Sequence, residues 1–367
     1  MRPMPLQTRQ AGAALLSAML TVTLVATFAA AALWQQWRSV EIETAERARV
    51  QSAWILTGAL DWSRLILRED GRAGGADHLA EPWAVPLNEA RLSSFLAVDK
   101  NASETEREAF LSGQVIDLQG RLNVNNLIEG NSVSAPALAA FSRLFELLGL
   151  PKEQLLTLAS SLIETVRDPA PPSAGANPNP NLPPASTGSG AAAGPIPAAS
   201  APATPVAPQA PVVAPAANAL SPLMPERVDQ LAWLGLPRET LAALGPYITL
   251  LPQRTTVNLN TASAEVIYAS TPGLDMTDAQ RLVTTRDRKH FSTLAEANQQ
   301  MGGAEGKFSD AQHAVASRFF EVTGQLRLEQ TLVQERSVLQ RDGLQVRTLW
   351  RDRGVVISRP PASGGRP

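Results

Sequence analysis

Residues 10–37 read QAGAALLSAMLTVTLVATFAAAALWQQW and contain no charged side chain. As an α-helix, with a rise of 1.5 Å per residue, the apolar part of this stretch is about 36 Å long, more than the ~30 Å hydrocarbon core of a bilayer. Arg2 and Arg9 precede it, whereas residues 38–49 mix arginines with glutamates. Because positive charge favours the cytoplasmic side, we predict one membrane-crossing helix with a cytoplasmic N-terminus, and everything after about residue 38 on the far side.

The overall composition narrows the class of protein. The 367 residues carry 32 basic and 34 acidic side chains, a net charge of -2, and no cysteine. Balanced charge gives no long-range field to attract a nucleic acid, and the lack of cysteine excludes disulfides, thiolate metal sites and cysteine nucleophiles. The charged fraction of 18% is low because residues 10–37 and 169–225 hold no charge. The remainder has the composition of one or two ordinary folded domains.

The position of Gly12 favours one kind of membrane segment. A secretory signal would place a small-residue cleavage site at the far end of the apolar run, among residues 29–32, and this alternative stays open. Gly12 instead lies at the cytoplasmic start, an arrangement that resembles the type IV prepilin leader, which a peptidase cuts after a glycine. The resemblance implies cleavage between Gly12 and Ala13 and methylation of the new amino group on Ala13.

Ser17 would then be the fifth residue of the mature chain. Most pilins and pseudopilins carry a glutamate there, whose carboxylate can neutralise the amino terminus of a neighbouring subunit in an apolar environment. A subunit with serine is poorly equipped to dock beneath a subunit already in a fibre, but could itself sit at the end of one. The alternative is that Ser17 is simply a small residue in a membrane helix.

Beyond the membrane, the helical pattern continues to about residue 68, and we expect Trp54 and Trp62 to pack in the core of the scaffold. Glycines and prolines in residues 69–87, EDGRAGGADHLAEPWAVPL, predict an extended loop that closes over a core. Two short strands follow, then two helices. The predicted strands are 114–118 and 121–124, and the predicted helices are 135–149 and 151–167.

Residues 169–225 are nearly all Pro, Ala, Ser, Gly, Asn, Thr and Val, which predicts disorder because no core can form there. Helical segments resume at Pro225. Asn260-Thr261 is expected to cap a helix from 262 to 270, and Pro272-Gly273 to turn the chain into a second helix, a pattern that resembles a helix-hairpin-helix unit. The last region predicts strands at 314–323, 325–334, 337–341 and 344–350, with Asp342-Gly343 as a hairpin turn.

Several segments, in their order along the chain, resemble the minor pseudopilin K family of the bacterial type II secretion system, also called general secretion pathway protein K. The resemblance covers most of the chain outside the proline-rich insert. The segments are AGAALLSAMLTVTLVATFAAAALWQQWR, ADHLAEPWAVPL, VIDLQGRLNVNNLIEG, NLNTASAEVI and ASRFFEVTGQLRL.

This resemblance implies an α+β, pilin-like fold, with a long N-terminal transmembrane helix on an antiparallel sheet and an inserted α-helical domain. It also implies a non-enzymatic subunit at the tip of the pseudopilus, single-pass in the inner membrane with its C-terminal domain in the periplasm. Its partners would be minor pseudopilins I and J, other pseudopilins and the prepilin peptidase. The predicted domain limits are a leader (1–12), transmembrane helix (13–37), pilin-like helix and first strands (38–130), helical insert (131–168), proline-rich insert (169–225), second helical part (226–312), C-terminal strands (313–357) and tail (358–367).

The resemblance leaves a cofactor in doubt. Family members usually have an acidic segment associated with calcium where this chain has Glu164, Arg167, Asp168 and the proline-rich insert. No carboxylate cluster shows a calcium-loop spacing. Three oxygen-bearing residues could bind calcium but are better explained by turns and strand ends: Asp117, Asn123 and Asn125.

Two other functions, catalysis and DNA binding, fit the sequence less well than an assembly role. The three histidines, His78, His290 and His313, are far apart in sequence and form no catalytic motif, so no enzyme is predicted. A membrane-anchored DNA receptor of the competence type would also combine a membrane helix, a linker and helix-hairpin-helix units. Residues 226–323 carry nine Lys/Arg against eleven Asp/Glu, however, which opposes phosphate binding, and Asp275 replaces a glycine of the hairpin. We therefore expect no nucleic acid among the partners.

Overall fold

The computed structural model describes residues 11–92, 109–167, 223–301, 307–328 and 331–356. Its helices, in chain order, are α1 (Ala11–Ala73), α2 (Ala135–Leu147), α3 (Lys152–Arg167), α4 (Arg238–Leu244), α5 (Ala264–Ser270), α6 (Met276–Arg288) and α7 (Leu294–Gln300). Its strands are β1 (Leu87–Arg91), β2 (Ala109–Asp117), β3 (Leu122–Asn123), β4 (Ile128–Glu129), β5 (Ser132–Val133), β6 (Ile248–Thr249), β7 (Val257–Asn258), β8 (His313–Ala314), β9 (Phe319–Leu328), β10 (Thr331–Asp342) and β11 (Gln345–Val356). Short 3₁₀ turns cover Pro82–Ala84, Leu118–Gly120, Val124–Leu127 and Val228–Leu234.

The chain divides into two compact units, the first made of residues 1–120, 256–264 and 277–367. A five-stranded sheet in the order β1-β2-β9-β10-β11 dominates this unit, and every neighbouring pair is antiparallel. The second half of α1 packs on this sheet. The predicted α+β class, a long helix on an antiparallel sheet, is confirmed.

Helix α1 buries one face against the sheet. Leu56, Leu60 and Leu67 are buried there, at spacings that return to the same side of a helix. They pack in two clusters with sheet residues that include Phe320 and Leu326. Burial of each such side chain stabilises the fold by about 1.5–3 kcal/mol, which is enough to fix which face of α1 meets the sheet.

The expectation that Trp54 and Trp62 lie in the core is wrong. Trp54 is 74% exposed and Trp62 is 63% exposed. The segment has apolar residues on two opposite faces, and the pattern alone does not say which face meets the sheet. The leucine face is the one that packs against the sheet, and both indole rings lie on the outside of α1.

The C-terminal strands are longer and fewer than predicted. In the five-stranded sheet, β9, β10 and β11 take the place of the four predicted strands, and the two-residue β8 pairs with β7 outside this sheet. β9 runs unbroken through the predicted break at residue 324, and β10 runs through the predicted break at residues 335–336. Glu335 is buried in this strand and pairs with Arg351 and Arg353 of β11, so its charge does not interrupt the ladder. The predicted hairpin exists, with its turn at Gly343-Leu344; Gly343 has φ 60°, which favours glycine.

Earlier expectations need smaller corrections. The first predicted strand is longer as β2, whose register with β9 extends from Ala109 to Asp117. The second, at 121–124, shrinks to the two residues of β3, because Asn123 turns the chain: its Oδ1 accepts from the backbone N–H of Asn125. The Asn260-Thr261 cap is also wrong, since α5 begins at Ala264 and both side chains bond elsewhere.

The second unit comprises residues 121–255 and 265–276 and is mainly helical. Its core is formed by α2 and α3, at nearly the predicted positions, with Leu144, Phe145 and Leu162 fully buried. A parallel pair, β3 with β6, and a hairpin, β4 with β5, complete it. The leader residues 1–10, most of the proline-rich insert and the whole of the tail lie outside the described residues, and the predicted domain limits stay predictions.

Candidate functional site

The first candidate region is the membrane-spanning part of α1. The helix contains an 18-residue window of mean hydropathy 2.0 near the N-terminus, long and apolar enough to cross a bilayer. Its side chains from Ala13 to Glu46 are exposed. At the end of the apolar run Trp34 and Trp37 lie with ring centroids 5.4 Å apart, in the position where membrane proteins place interfacial aromatic residues.

The predicted processing residues lie at the start of α1. Gly12 and Ala13 are helical, and α1 begins at Ala11. The Ser17 hydroxyl donates to the carbonyl of Ala14 at 2.9 Å, one turn back in the same helix. Ser17 therefore satisfies its hydrogen bond within its own chain and presents no charge to a neighbouring helix.

The second candidate region is a buried polar network centred on Asp117, at the end of β2. Its carboxylate accepts hydrogen bonds from Thr261 Oγ1 at 2.6 Å, Ser317 Oγ at 2.5 Å, and Asn258 Nδ2 at 3.0 Å. It also accepts from the backbone N–H of Gln119 at 2.8 Å. Complete burial raises the pKa of Asp117, while these hydrogen bonds act in the opposite direction.

Asp77 extends the network into the loop after α1. Its Oδ2 accepts from the backbone N–H of Ser317 at 2.6 Å, and its Oδ1 accepts from Arg341 Nη2 at 2.5 Å. Arg341 also bonds Asp70 of α1 and stacks over the Phe320 ring at 5.0 Å. Burial raises the pKa of Asp77 to about 6, against the attraction of Arg341. This guanidinium thus connects β10 to the end of α1 and to the following loop.

The same loop carries a second carboxyl group, the half-buried Glu81. Glu81 Oε2 accepts from the backbone N–H of His78 at 2.9 Å and from Trp83 Nε1 at 2.7 Å. Both donors are neutral, and burial raises the pKa of Glu81 to about 7. His78 stacks on His290, with ring centroids 3.7 Å apart and planes 10° apart, so two histidines that are distant in sequence are in contact. Burial and the neighbouring His290 lower the pKa of His78.

The network unites four of the sequence segments quoted above. Asp77 comes from ADHLAEPWAVPL, Asp117 from VIDLQGRLNVNNLIEG, Asn258 from NLNTASAEVI and Ser317 from ASRFFEVTGQLRL. Three of these residues were not singled out from the sequence. The available signal was that each is a polar residue within an apolar segment, since a buried polar side chain needs hydrogen-bonding partners.

Three carboxylates of this region could be considered as a metal site. Oxygens of Asp70, Asp77 and Glu81 lie within 4.8 Å of one another. Arg341 already bonds two of them, however, and Glu81 accepts from two N–H donors. Calcium requires six to eight free oxygen ligands, so this arrangement does not fit calcium. Of the three residues considered from the sequence, Asp117 belongs to the network described above. Asn123 is engaged in the second unit, where its amide group bonds Gln253 O, Leu251 N and Asn125 N. Asn125 lies in the 3₁₀ turn Val124–Leu127.

The hairpin between α5 and α6 is bonded within the second unit. Arg143 of α2 donates to the carbonyl of Thr271 and, at 3.1 Å, to that of Leu274. Its guanidinium also lies 4.5 Å from the centre of the Tyr268 ring. Arg143 thus bridges two carbonyl oxygens of the turn and holds it against α2. The arrangement is that of a structural hairpin.

An apolar helix long enough to cross a membrane packs its second half on an antiparallel sheet, and a helical unit is inserted in the sequence between strands of that sheet. This arrangement is that of a pilin-type subunit. Comparison with protein-family models identifies the family to which the chain belongs. The family model described as Type II secretion system (T2SS), protein K matches residues 257–316, and a second model with the same description matches residues 120–253. Together they match more than half of the chain, which therefore belongs to the type II secretion system protein K family.

Individual relatives agree with this assignment. The chain is 26% identical over 370 residues to type II secretion system protein K of Pseudomonas aeruginosa, covering 97% of this chain and 96% of that protein. Its fold is similar to a chain in the crystal structure of the GspK-GspI-GspJ complex from enterotoxigenic Escherichia coli, with a TM-score of 0.56 and 16% identity. That similarity covers 84% of this chain and 98% of the other. The chain is thus a minor pseudopilin of type II secretion, in a family of structural components rather than enzymes.

Proposed function

We propose that this chain is the subunit at the tip of the type II secretion pseudopilus, where it initiates or caps a fibre that serves protein export across the outer membrane. Residues 13–37 anchor it in the inner membrane, with the N-terminus in the cytoplasm and both compact units in the periplasm. Prepilin peptidase cleaves between Gly12 and Ala13 and methylates Ala13. The protein acts by packing against other subunits and not by catalysis.

The observation that carries the tip position is the state of Ser17. A subunit that docks beneath another in an apolar fibre core gains from a carboxylate that pairs with the amino terminus above it. Here that position holds a hydroxyl that bonds Ala14 of its own helix at 2.9 Å and offers no charge. A subunit without this carboxylate cannot form an ion pair with the amino terminus of a subunit above it. This property suits the last subunit of a fibre.

The second unit supports the same position. Its residues, 121–255 and 265–276, lie between strands of the sheet in sequence, so the subunit carries a whole helical unit beyond the helix-and-sheet scaffold. Inside a fibre of smaller subunits this addition would need space on every side, whereas at the end it needs none. We infer that its partners there are minor pseudopilins I and J, the proteins named with the related chain in the E. coli complex.

The first experiment determines the N-terminal sequence and intact mass of the full-length protein, extracted from membranes of cells that contain a prepilin peptidase. The expected mature chain begins with N-methylated Ala13. Gly12→Leu should remain unprocessed, because the peptidase must accommodate a small residue there, and Gly12→Ala is the matched control. A mature chain that begins near residue 33 would instead indicate an ordinary secretory signal and contradict the proposal.

The tip position is tested separately through Ser17. Ser17→Glu supplies the missing carboxylate and should allow the variant to be incorporated below other subunits, which cross-linking along sheared fibres would detect. Ser17→Ala is the control and should behave as the unmodified protein does. If the unmodified protein is found along the whole length of the fibre, the tip assignment is wrong.

A further inference from the structure

The loop that follows α1 carries a histidine whose ring contacts a histidine from a distant part of the sequence. We call residues 74–81 the histidine loop. His78 of this loop stacks on His290, which lies between α6 and α7, with ring centroids 3.7 Å apart and planes 10° apart. Both histidines are half-buried. Within the described part of the chain, no hydrogen bond joins the histidine loop to residues 289–293, so the ring stack connects the two segments.

Two asparagines of one short segment place these rings face to face. Asn258, at the end of β7, donates through Nδ2 to the carbonyl of Asp77 at 3.1 Å, the residue before the loop histidine. Asn260 accepts from the backbone N–H of Phe291 at 2.9 Å and donates to its carbonyl at 2.9 Å, which fixes the residue after the second histidine. Both asparagines are buried. The stack therefore follows from backbone positions that the same segment holds on both sides.

The His78 ring is bonded in its neutral form. Its Nδ1 accepts from the backbone N–H of Ala80 at 3.3 Å, so the ring proton is on Nε2. A second proton would turn Nδ1 into a donor that faces another donor. Two charged rings would also repel each other at a centroid distance of 3.7 Å. Burial, together with the neighbouring His290, accordingly lowers the pKa of His78.

The carboxylates that approach the pair from neighbouring helices are already paired with cations. Asp70 of α1 attracts a charged His78 ring, but it also bonds Arg341 of β10. On the side of the second ring, Glu296 of α7 bonds Lys289 Nζ at 2.8 Å. Neither carboxylate is therefore available as a dedicated partner for a charged imidazole.

Two carboxyl groups next to His78 respond to acid in the opposite direction. Burial raises the pKa of Asp77 to about 6 and that of Glu81 to about 7, so both bind protons more tightly in the closed loop than in an open one. Their protonation favours the closed loop as the pH falls. The lowered pKa of His78 has the reverse effect, because the closed loop loses stability as the pH falls below 6.5, the ordinary value of a histidine. Substitution of the histidines separates the two effects.

The histidine loop has a hinge and space in which to move. Gly74 and Gly75 follow α1 with φ 67° and 115°, conformations that favour glycine. A cavity of about 450 Å³ lies between the loop and the turn after β10. Beyond the loop, Trp83 is 2% exposed and fixes the chain in the core. Loss of the ring contact can therefore move the loop without unpacking the core.

We propose that the His78–His290 stack is a proton-sensitive latch: the neutral rings hold the histidine loop against the segment between α6 and α7, and protonation of both rings releases it. The inference goes beyond the proposed function and does not depend on where the subunit lies in a fibre. It adds a response to acid at the point where α1 leads into the sheet.

Hydrogen–deuterium exchange of the full-length protein in detergent at pH 8 and pH 5 tests the latch. The variant His78→Phe/His290→Phe keeps two rings that can stack but cannot bind a proton. After correction for the intrinsic exchange rate, the ratio of the protection factors of the histidine loop at pH 8 and pH 5 should be at least tenfold larger in the unmodified protein than in this variant. His313 does not contribute, because burial lowers its pKa to about 4 and it stays neutral at pH 5. Equal ratios in the two proteins would overturn the proposal.

The control for the carboxyl groups is Glu81→Gln, which keeps both histidines. It removes a group that opposes opening at low pH, so the ratio of protection factors should be as large as in the unmodified protein or larger. A smaller ratio would assign the response to Glu81 and refute the latch.

A measurement without substitution covers the case in which the double phenylalanine variant does not fold. Exchange of the imidazole C2 hydrogen, followed by mass spectrometry of the unmodified protein, gives the pKa of each histidine separately. The pKa of His78 should be lower in the folded protein than in the urea-unfolded chain, because the closed loop holds the neutral ring. The same pKa in both states would overturn the proposal.

Discussion

Replacement of Arg341 by methionine is the sharpest test of the buried network. Methionine keeps most of the aliphatic length over Phe320 but removes the guanidinium that bonds Asp70 and Asp77. The Asp77 side chain is only 3% exposed, so its carboxylate has almost no access to water. Arg341 also donates to the carbonyl of Ser317 at 3.0 Å, which loses this donor as well.

The expected decrease in the free energy of unfolding follows from the removal of one partner of a buried ion pair. Removal of one partner leaves an uncompensated buried charge, which typically costs about 3–5 kcal/mol. At roughly 2–4 °C per kcal/mol for a unit of this size, the melting temperature should fall by roughly 10 °C. The matched control is Arg347→Met on the adjacent strand. Its side chain is 66% exposed, and a surface ion pair contributes less than about 1 kcal/mol.

The loss should depend on pH in a defined direction. Burial already raises the pKa of Asp77 from 3.8 to about 6 despite Arg341, so in this range the folded protein binds the proton more tightly than the unfolded chain. Stability therefore decreases as the pH rises through this window. Without Arg341 the pKa rises further, and the deficit should be largest at pH 8 and shrink at pH 5, where Asp77 is protonated.

Thermal unfolding of the full-length variant in detergent, monitored by near-UV circular dichroism at pH 5 and pH 8, measures the decrease in melting temperature and its dependence on pH. The double variant Arg341→Met/Asp77→Asn separates charge from packing, because it leaves no buried charge on Asp77 and should recover much of the loss at pH 8. An equal loss at the two pH values, or a loss no larger than that of Arg347→Met, would refute the assignment of a buried ionic link.

Three further predictions concern other contacts. Asn258→Ala removes the amide that donates to Asp117 and Ser317 and should lower the free energy of unfolding by about 3 kcal/mol, as measured by denaturant titration; a loss below 1 kcal/mol would contradict this. Glu81→Gln should raise the melting temperature at pH 8 and leave it unchanged at pH 4, because the pKa of Glu81 is raised to about 7 and only its charged form is penalised by burial. Arg143→Ala exposes the hairpin carbonyls and should speed amide hydrogen exchange at residues 271–275, and unaltered exchange there would exclude a structural role for this arginine.

Much of the fold follows from short-range patterns in the sequence. The apolar run of α1 is recognisable by its length and lack of charge, α2 and α3 have strong helical periodicity, and the Asp342-Gly343 signal correctly indicates a hairpin. The exact strand limits do not follow, because they depend on partners elsewhere in the chain. From the local sequence, a strand is predicted to end before Glu335, but two arginines on β11 compensate its charge and β10 continues.

The candidate surfaces were harder to predict than the fold. Trp54 and Trp62 have the composition of a core, and only packing against the sheet decides that the opposite, leucine-rich face of α1 is buried. The network around Asp117 and Asp77 joins side chains up to 264 residues apart in sequence, as Asp77 and Arg341 are. Such long-range contacts produce no periodic pattern in the local sequence. The five segments that resemble the family, in the same order along the chain, indicated which parts of the sequence matter. They did not indicate that four of these segments contact one another in the fold.

Helix α1 combines an apolar segment long enough to cross a membrane with a second half that packs on the sheet, and the strands contact this second half at several levels. Arg351 donates to Thr57 at 2.8 Å, Arg64 donates to the carbonyl of Val346 at 2.9 Å, and Arg341 bonds Asp70. Between Thr57 and Asp70 these links span about 20 Å of helix. A force applied along α1 is therefore shared between these bonds and the leucine face, which suits the fibre subunit that we propose.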